Sequence, residues 1–421
     1  MALPRVVIIG GGFGGLHAAS ALKHAPVDVI LLDRHNHHVF QPLLYQVAAA
    51  GLSPGDIASP IRWILRRQKN VTVWLADVTS IDVKAKVVHL ADGTTVAFDY
   101  LIAAPGVAHA YFGHDEWQEF APGLKTLDDA LEIRRRVLLS FEKAERETDP
   151  AAQRRLLTFV VVGGGPTGVE LAGALAEISR HALVKDFRAI DPKTARIILV
   201  EGLPGVLQTY PEPLSSFARR ALEKLGVTVW TGAPVTDIQS GTIRVGTESL
   251  QAGTVLWAAG VAASPLGATL GVPLDRVGRV LVNPDLSIPG WPNVYVAGDL
   301  AALKNESGAW LPGVAQVAMQ GAAHAARNII ATIDKKATTP FHYRNYGNMA
   351  TIGRNSAVGD FGWFRLKGYI AWLFWLFVHI FQLIGFRNRL TVMTQWAASY
   401  LTYQRSVRLI TRDESARGSR T

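Results

Sequence analysis

The sequence predicts an α/β chain built on two Rossmann-like dinucleotide-binding domains, followed by a helical C-terminal region. Three observations predict it. A strand, a glycine-rich turn and a helix occur twice at the same phase, once at the N-terminus and once near the middle of the 421 residues. Each repeat runs on into a second apolar strand that ends on an acid, the pattern of a βαβ unit covered on both faces. From Phe341 onward the composition turns aromatic, basic and apolar. With 49% hydrophobic and 18% charged residues, a chain of this length supports two or three domains around well-buried cores.

The first unit opens with Val6-Val7-Ile8-Ile9 as a strand and continues with a helix from about Leu16 to His24 and a strand from Val27 to Asp33. Between strand and helix, Gly10, Gly12 and Gly15 fit G-x-G-x-x-G, with Phe13 and Gly14 inside the loop. A dinucleotide pyrophosphate needs backbone N–H groups at a helix N-terminus and no side chain in the way, which glycine provides. Asp33, 18 residues past Gly15, is placed to accept a hydrogen bond from the adenosine ribose, with Arg34 beside it.

Thr126 and Asp129 form a capping-box-like pair at the start of a helix that runs through Arg134, Arg135 and Arg136 to about Glu147 and is ended by Asp149-Pro150. The second unit follows: a strand from Leu157 to Val162, then Gly163, Gly165 and Gly168 with Pro166 and Thr167 between them, a helix from about Gly168 to Arg180, and a strand from Ala195 to Glu201. Glu201 lies 33 residues past Gly168, further than the usual twenty or so, and the insert from about His181 to Lys193 accounts for the excess. A ribose-binding Glu201 repels a 2′-phosphate and so favours NADH over NADPH. Later strands end in Gly260 and in Ala297-Gly298-Asp299, the second of them returning the chain to the first domain. The expected division is 1–125 and 289–340 for the first domain, 126–288 for the second, and 341–421 for the C-terminal region. One fingerprint serves a single-cofactor dehydrogenase; two point to a flavin enzyme fed by a nicotinamide, with non-covalent FAD in the first domain and NADH as substrate in the second.

The chain contains no cysteine, which excludes disulfides, thiolate metal sites and thiol redox chemistry; no metal site is expected. No cleavable signal precedes the first strand, so residence on the cytoplasmic side is expected. From Phe361 to the end, nine Arg or Lys face two acids, so this tail carries +7 of the net +9. With interleaved tryptophans and an apolar run, such a tail suits an anionic membrane surface better than nucleic acid. The run from Tyr369 to Phe386 is 18 residues, roughly 27 Å as a helix against a hydrocarbon core of about 30 Å. In Leu401 to Arg412, Arg405, Arg408 and Arg412 share one helical face and Tyr403, Val407 and Ile410 another, as in an in-plane amphipathic helix. Monotopic attachment is expected, with spanning or a dimer interface as alternatives.

Without cysteine, disulfide reductases and sulfide:quinone reductases drop out among two-dinucleotide flavoproteins. The chain resembles the type II NADH:quinone oxidoreductases over nearly its whole length. The resemblance rests on the Gly10–Gly15 loop, Asn36-His37-His38-Val39-Phe40-Gln41-Pro42-Leu43-Leu44-Tyr45-Gln46-Val47-Ala48, the second loop with Gly168-Val169-Glu170, Ala297-Gly298-Asp299, Ala315-Gln316-Val317-Ala318-Met319-Gln320, and the basic, aromatic tail. It implies a glutathione-reductase-like pair of domains, FAD contacts from Gly298, Asp299, Ala315 and Gln316, and a nicotinamide-positioning role for Glu170. It implies Gln41, Pro42 and Tyr45 around the flavin and quinone, a quinone role for Gln316 and Gln320, and Lys367 and Ile370 at a quinone tunnel, Lys367 supplying or relaying a proton. Gln316 and Gln320 share one helix face, with His324 continuing the stripe in a structural role. Ala103-Ala104-Pro105-Gly106 departs from the Ala-Thr-Gly common in related families and loses a hydroxyl there. The implied activity is two-electron transfer from NADH through FAD to ubiquinone or menaquinone at the cytoplasmic face of the inner membrane, without proton pumping. A homodimer is among the expected partners. A soluble ferredoxin- or rubredoxin-type reductase and a non-catalytic flavin/NADH sensor stay open beside it.

Overall fold

The computed structural model describes residues 3–382, Thr394 and residues 407–410. Two compact units share the chain. The first comprises Met1–Val39, Ala58–His109 and Val261–Tyr346, the second Phe40–Ile57, Ala110–Gly260 and Gly347–Thr421. The crossings near 109 and 260 precede the expected 125 and 288, and 40–57 belongs to the second unit.

In the first unit, Arg5–Ile9 lies inside a six-stranded sheet, flanked by Asp28–Asp33 then Val71–Leu75 on one side and Tyr100–Ala103 then Trp291–Val296 and Ser287–Ile288 on the other. All neighbours are parallel except the last pair. The expected return of the chain through Asn293–Val296 is observed in the pairing of Val294 with Leu101. In the second unit, Thr158–Val162 lies between Arg196–Glu201 and Thr254–Trp257, with Val227–Thr231 outermost, all parallel. Such strands carry apolar residues on both faces because helices or further strands cover each: Val6, Val7, Ile8, Phe159, Val160 and Val161 are at most 1% exposed. Each side chain of this size stabilises the fold by roughly 1.5–3 kcal/mol on full burial.

The duplication is longer than the βαβ units. Between the third and fourth sheet strands of each unit stands a three-stranded antiparallel meander: Val78–Asp82, Val87–Leu90 and Thr95–Ala97 in the first, Val235–Gln239, Thr242–Val245 and Glu248–Gln251 in the second. Val88 and Val96 close one core with Leu32 and Leu101, and Ile243 and Val245 close the other with Val200 and Val255.

Both fingerprint helices begin earlier than expected, at Phe13 and at Pro166. Gly12 and Gly165 are the N-caps, their carbonyls accepting from Leu16 and Val169, so the third glycine of each motif lies inside the helix. Thr126 and Asp129 form a reciprocal capping box on Leu127–Arg146. Asp149 does more than end that helix: its carboxylate accepts from the N–H groups of Ala151 and Ala152 and starts another, Pro150–Leu156.

The C-terminal region is not helical alone. Asn348–Thr351, Ala357–Asp360 and Arg365–Gly368 form an antiparallel sheet before the helix Tyr369–Gln382. Residues 383–386 of the expected apolar run lie outside the described residues. Among the described residues, no helix is long and apolar enough to cross a membrane. Of the expected amphipathic helix 401–412, only 407–410 are described, and they form a turn followed by chain without regular structure rather than a helix. Arg408 does not stand free for an anionic surface: its guanidinium donates to the carbonyl of Ala182 at 2.7 Å and pairs with Asp186.

Candidate functional site: two dinucleotide loops and a half-buried glutamate

Each sheet reverses its strand order beside its first strand, and ligands of open parallel sheets bind beyond the strand ends at that point. In the first unit Gly10 takes φ +98°, and a Cβ there would lie 2.3 Å from the Ala104 carbonyl oxygen. In the second, Gly163 takes φ +110°, and its Cβ would lie 2.5 Å from the Ala258 carbonyl. The third glycines have no room either: a Cβ on Gly15 would meet the Gly10 oxygen at 1.7 Å, and one on Gly168 the Gly163 oxygen at 1.8 Å. The middle glycines are the opposite, for nothing lies within 4 Å of a Cβ on Gly12 or Gly165. Neither helix N-terminus is capped by a side chain or has an acid in its first turn. Open space at an uncapped, electropositive helix end fits a pyrophosphate, so the residues present fit a dinucleotide in each loop.

The two acids hold their loops identically. Asp33 accepts from the Gly11 N–H at 2.5 Å and the His35 N–H at 2.6 Å. Glu201 accepts from the Gly164 N–H at 2.6 Å and the Leu203 N–H at 2.8 Å. The long spacing before Glu201 therefore leaves the motif intact. Its extra residues form the π-helical turn Ile178–Ala182 and a loop whose 188–190 N–H groups donate to Glu145, and these bonds hold that exposed carboxyl below its usual range.

Gly298 and Asp299 sit in a short 3-10 turn. A Cβ on Gly298 would lie 3.1 Å from that of Ala318, so the Ala-Gly-Asp segment rests on the helix Ala315–Ile333, whose N-terminus also lacks a side-chain cap. The glutamine stripe on this helix grips its own unit's chain. The Gln320 amide donates to the Arg344 carbonyl at 2.9 Å and accepts from the Arg344 N–H at 3.0 Å. The Gln316 oxygen accepts from the Tyr346 N–H and the Tyr343 hydroxyl. His324 bonds the Thr339 carbonyl at 2.7 Å, a structural role as expected.

In the second unit Gln41 and Pro42 form a 3-10 turn before the helix Leu44–Ala48. Tyr45 is buried, its hydroxyl 3.0 Å from Thr351 Oγ1 and receiving the Gln46 amide at 3.0 Å. Glu170 lies in the second turn of its helix, beyond the first-turn dipole position. The Thr351 N–H donates to it at 3.3 Å, and burial raises its pKa to about 8. Burial, and next the Glu170 charge, push the Tyr45 hydroxyl up as well. Seven residues on, Glu177 accepts from the Arg354 N–H. Lys367 is exposed, its ammonium 5.9 Å from the centre of the Phe217 ring, and Ile370 is exposed at the start of the last helix.

Residues 4–326 match the pyridine nucleotide-disulphide oxidoreductase family, and residues 346–404 match the NDH2 C-terminal domain. The type II NADH:quinone oxidoreductase Ndh of Mycobacterium tuberculosis is 47% identical over 97% of this chain and 90% of its own length. This chain belongs to the type II NADH:quinone oxidoreductase family. NdhA of the same organism, also a type II NADH:quinone oxidoreductase, is 48% identical over 97% of this chain and 89% of its own. The structure of NDH2 from Plasmodium falciparum in complex with NADH superimposes with a TM-score of 0.88 at 21% identity, over 97% of this chain and all of that one. Within this type II fold, sequence reasoning missed Thr351, which carries no motif and stands 181 residues from Glu170. It also missed that the glutamine stripe is bonded to residues 339–346.

Proposed function

We propose that this chain oxidises NADH and reduces a membrane quinone through bound FAD, as a monotopic enzyme on the cytoplasmic face of the membrane and without proton pumping. The observation that carries this reading is the pair of equivalent loops, each with an uncapped helix end, an open middle glycine and an acid bonded to its backbone. FAD, when bound, accepts two electrons from the nicotinamide and hands them to the quinone.

In this reading Gly10, Gly12, Phe13, Gly14, Gly15, Asp33, Arg34, Gly298, Asp299, Ala315 and Gln316 hold FAD, joined by Gln41 and Pro42. Gly163, Gly165, Pro166, Thr167, Gly168, Glu201 and Gly260 hold NADH. The carboxylate of Glu201 faces the adenosine ribose and disfavours a 2′-phosphate. Glu170, largely protonated at neutral pH, presents an uncharged, hydrogen-bonding side chain. Tyr45, Gln316, Gln320, Lys367 and Ile370 serve the quinone side. Steady-state NADH oxidation by the purified, FAD-loaded protein with a short-chain quinone tests the reading; no quinone-dependent turnover overturns it.

Because Gln320 bonds Arg344 twice, its part in quinone reduction runs through the placement of residues 339–346. Gln320→Ala removes both bonds, each worth about 1 kcal/mol. It is expected to raise the KM for quinone several-fold while NADH bleaches the flavin at the original rate. Equal loss in both half-reactions counts against a quinone-side role.

On the last helix Ile370, Leu373, Phe374 and Phe377 are exposed while Ala371 and Trp375 are buried. This stripe at i, i+3, i+4 and i+7 is an apolar face, with exposed Arg365 and Lys367 just before it. Leu373→Asp with Phe377→Asp is expected to cut cosedimentation with phosphatidylglycerol vesicles at least ten-fold. Unchanged sedimentation removes this helix as the anchor.

A further inference from the structure

We propose that Phe112 is the stacking face for the nicotinamide ring of NADH in the second unit, an inference that rests on the assignment of that unit to NADH. The strand order of its sheet reverses between Thr158–Val162 and Thr254–Trp257, so the crevice there has Gly163–Gly165 on one side and Ala258–Gly260 on the other. Glu201 marks the adenosine end, on the side of Arg196–Glu201. A dinucleotide with its pyrophosphate at Gly165 therefore extends its other ring towards Ala258–Gly260.

Phe112 stands at that end. A Cβ on Gly260 would lie 2.5 Å from Cζ of the Phe112 ring, so the ring rests on the glycine backbone and any other residue at 260 would displace it. The neighbouring aromatics form a core: Tyr111 stacks on Trp257 at 5.1 Å, Trp117 meets Trp257 edge-on at 5.8 Å, and all three are at most 4% exposed. Phe112 is 69% exposed. Its backbone takes φ +53°, a left-handed conformation that costs an ordinary residue about 1–2 kcal/mol. The ring packs on Gly260 and against Trp257, tilted by 58° at 6.2 Å, but that packing leaves most of a large apolar side chain in water on a strained backbone. The exposure is explained by a flat partner: an aromatic face stacks on a planar ring, and the pyridinium of NAD+ adds cation–π attraction.

The test compares NAD+ with ADP-ribose, which lacks the nicotinamide, by titration calorimetry on the FAD-loaded protein. Phe112→Leu keeps an apolar side chain and removes the π face. The NAD+ dissociation constant is expected to rise about five-fold while that of ADP-ribose changes less than two-fold, and Phe112→Tyr is expected to restore NAD+ binding. Equal weakening of both ligands, or no change in either, overturns the role of Phe112. Glu201→Ala is the companion variant. If it weakens both ligands while Phe112→Leu weakens neither, the stacking proposal alone fails; if Glu201→Ala leaves both untouched, the assignment of the unit to NADH fails.

Discussion

Gly168→Ala is expected to leave the flavin in place and abolish NADH oxidation, and Gly15→Ala is expected to yield protein without flavin. Both third glycines face the carbonyl oxygen of the first glycine in their loop, at 1.8 and 1.7 Å from where a methyl would sit. Neither oxygen can retreat, because each loop is tied to its neighbouring strand. The Gly10 N–H donates to Leu32 and that of Gly163 to Val200, and the next residues bond Asp33 and Glu201. The methyl must lift the helix from the loop, and overpacking of this kind costs roughly 1–3 kcal/mol or more. A displaced helix N-terminus no longer aims its N–H groups at a phosphate, so the KM for NADH rises at least a hundred-fold in Gly168→Ala. Because the two loops belong to different compact units, each defect stays with its own nucleotide. The ratio of absorbance at 450 nm to 280 nm reads flavin content, and stopped-flow mixing reads NADH. Loss of flavin from Gly168→Ala would overturn the assignment of the loops. Gly12→Ala and Gly165→Ala are the controls. Their methyls enter open space, so melting temperature is expected to hold while the corresponding nucleotide is lost.

That contrast also marks what could be read in the sequence. The fingerprints were legible because their geometry is local: strand, glycines and helix within a few residues impose the turn wherever the chain goes next. Asp33 and Glu201 were legible as strand-end acids, and only the bond from Gly164 to Glu201 settles that a 33-residue gap leaves the motif intact. The meanders were not legible. Their strands are three to five residues long, too short for a two-residue alternation to stand out from a loop. Gln316 and Gln320 were found as a helix-face pair, yet their partners are mainly backbone groups near 344–346, and a backbone group leaves no trace in residue identity. The tail was read from its charges, which put Arg408 on the basic face of an in-plane amphipathic helix. Its pairing with Asp186 depends on a chain path that charge spacing does not encode.

Glu170 is expected to make the protein less stable as pH rises from about 5 to about 8, and Glu170→Gln is expected to remove that slope. The described surroundings give its carboxyl one long hydrogen bond, from Thr351 at 3.3 Å, and burial outweighs that bond in raising its pKa to about 8 from an ordinary 4.5. Between those values the folded protein holds a proton that the unfolded chain has lost, so stability falls with pH, by about 1.4 kcal/mol per unit where the difference is complete. The loss is fully developed above the folded pKa and totals on the order of 4 kcal/mol across the window. Glutamine keeps the shape and an acceptor for Thr351 but has no charge to bury. The two proteins should therefore melt at similar temperatures near pH 5 and separate progressively up to pH 9, with the glutamine variant several degrees higher. The Tyr45 hydroxyl sharpens the reading, because the Glu170 charge is the second cause, after burial, of its raised pKa. Tyr45→Phe is expected to leave the slope in place, since it removes no charge between pH 5 and 9. Parallel melting curves for wild type and Glu170→Gln would mean that Glu170 is already ionised at neutral pH. The uncharged side chain proposed beside the nicotinamide would then have to be replaced by a carboxylate, which would hold the cationic NAD+ more tightly than NADH.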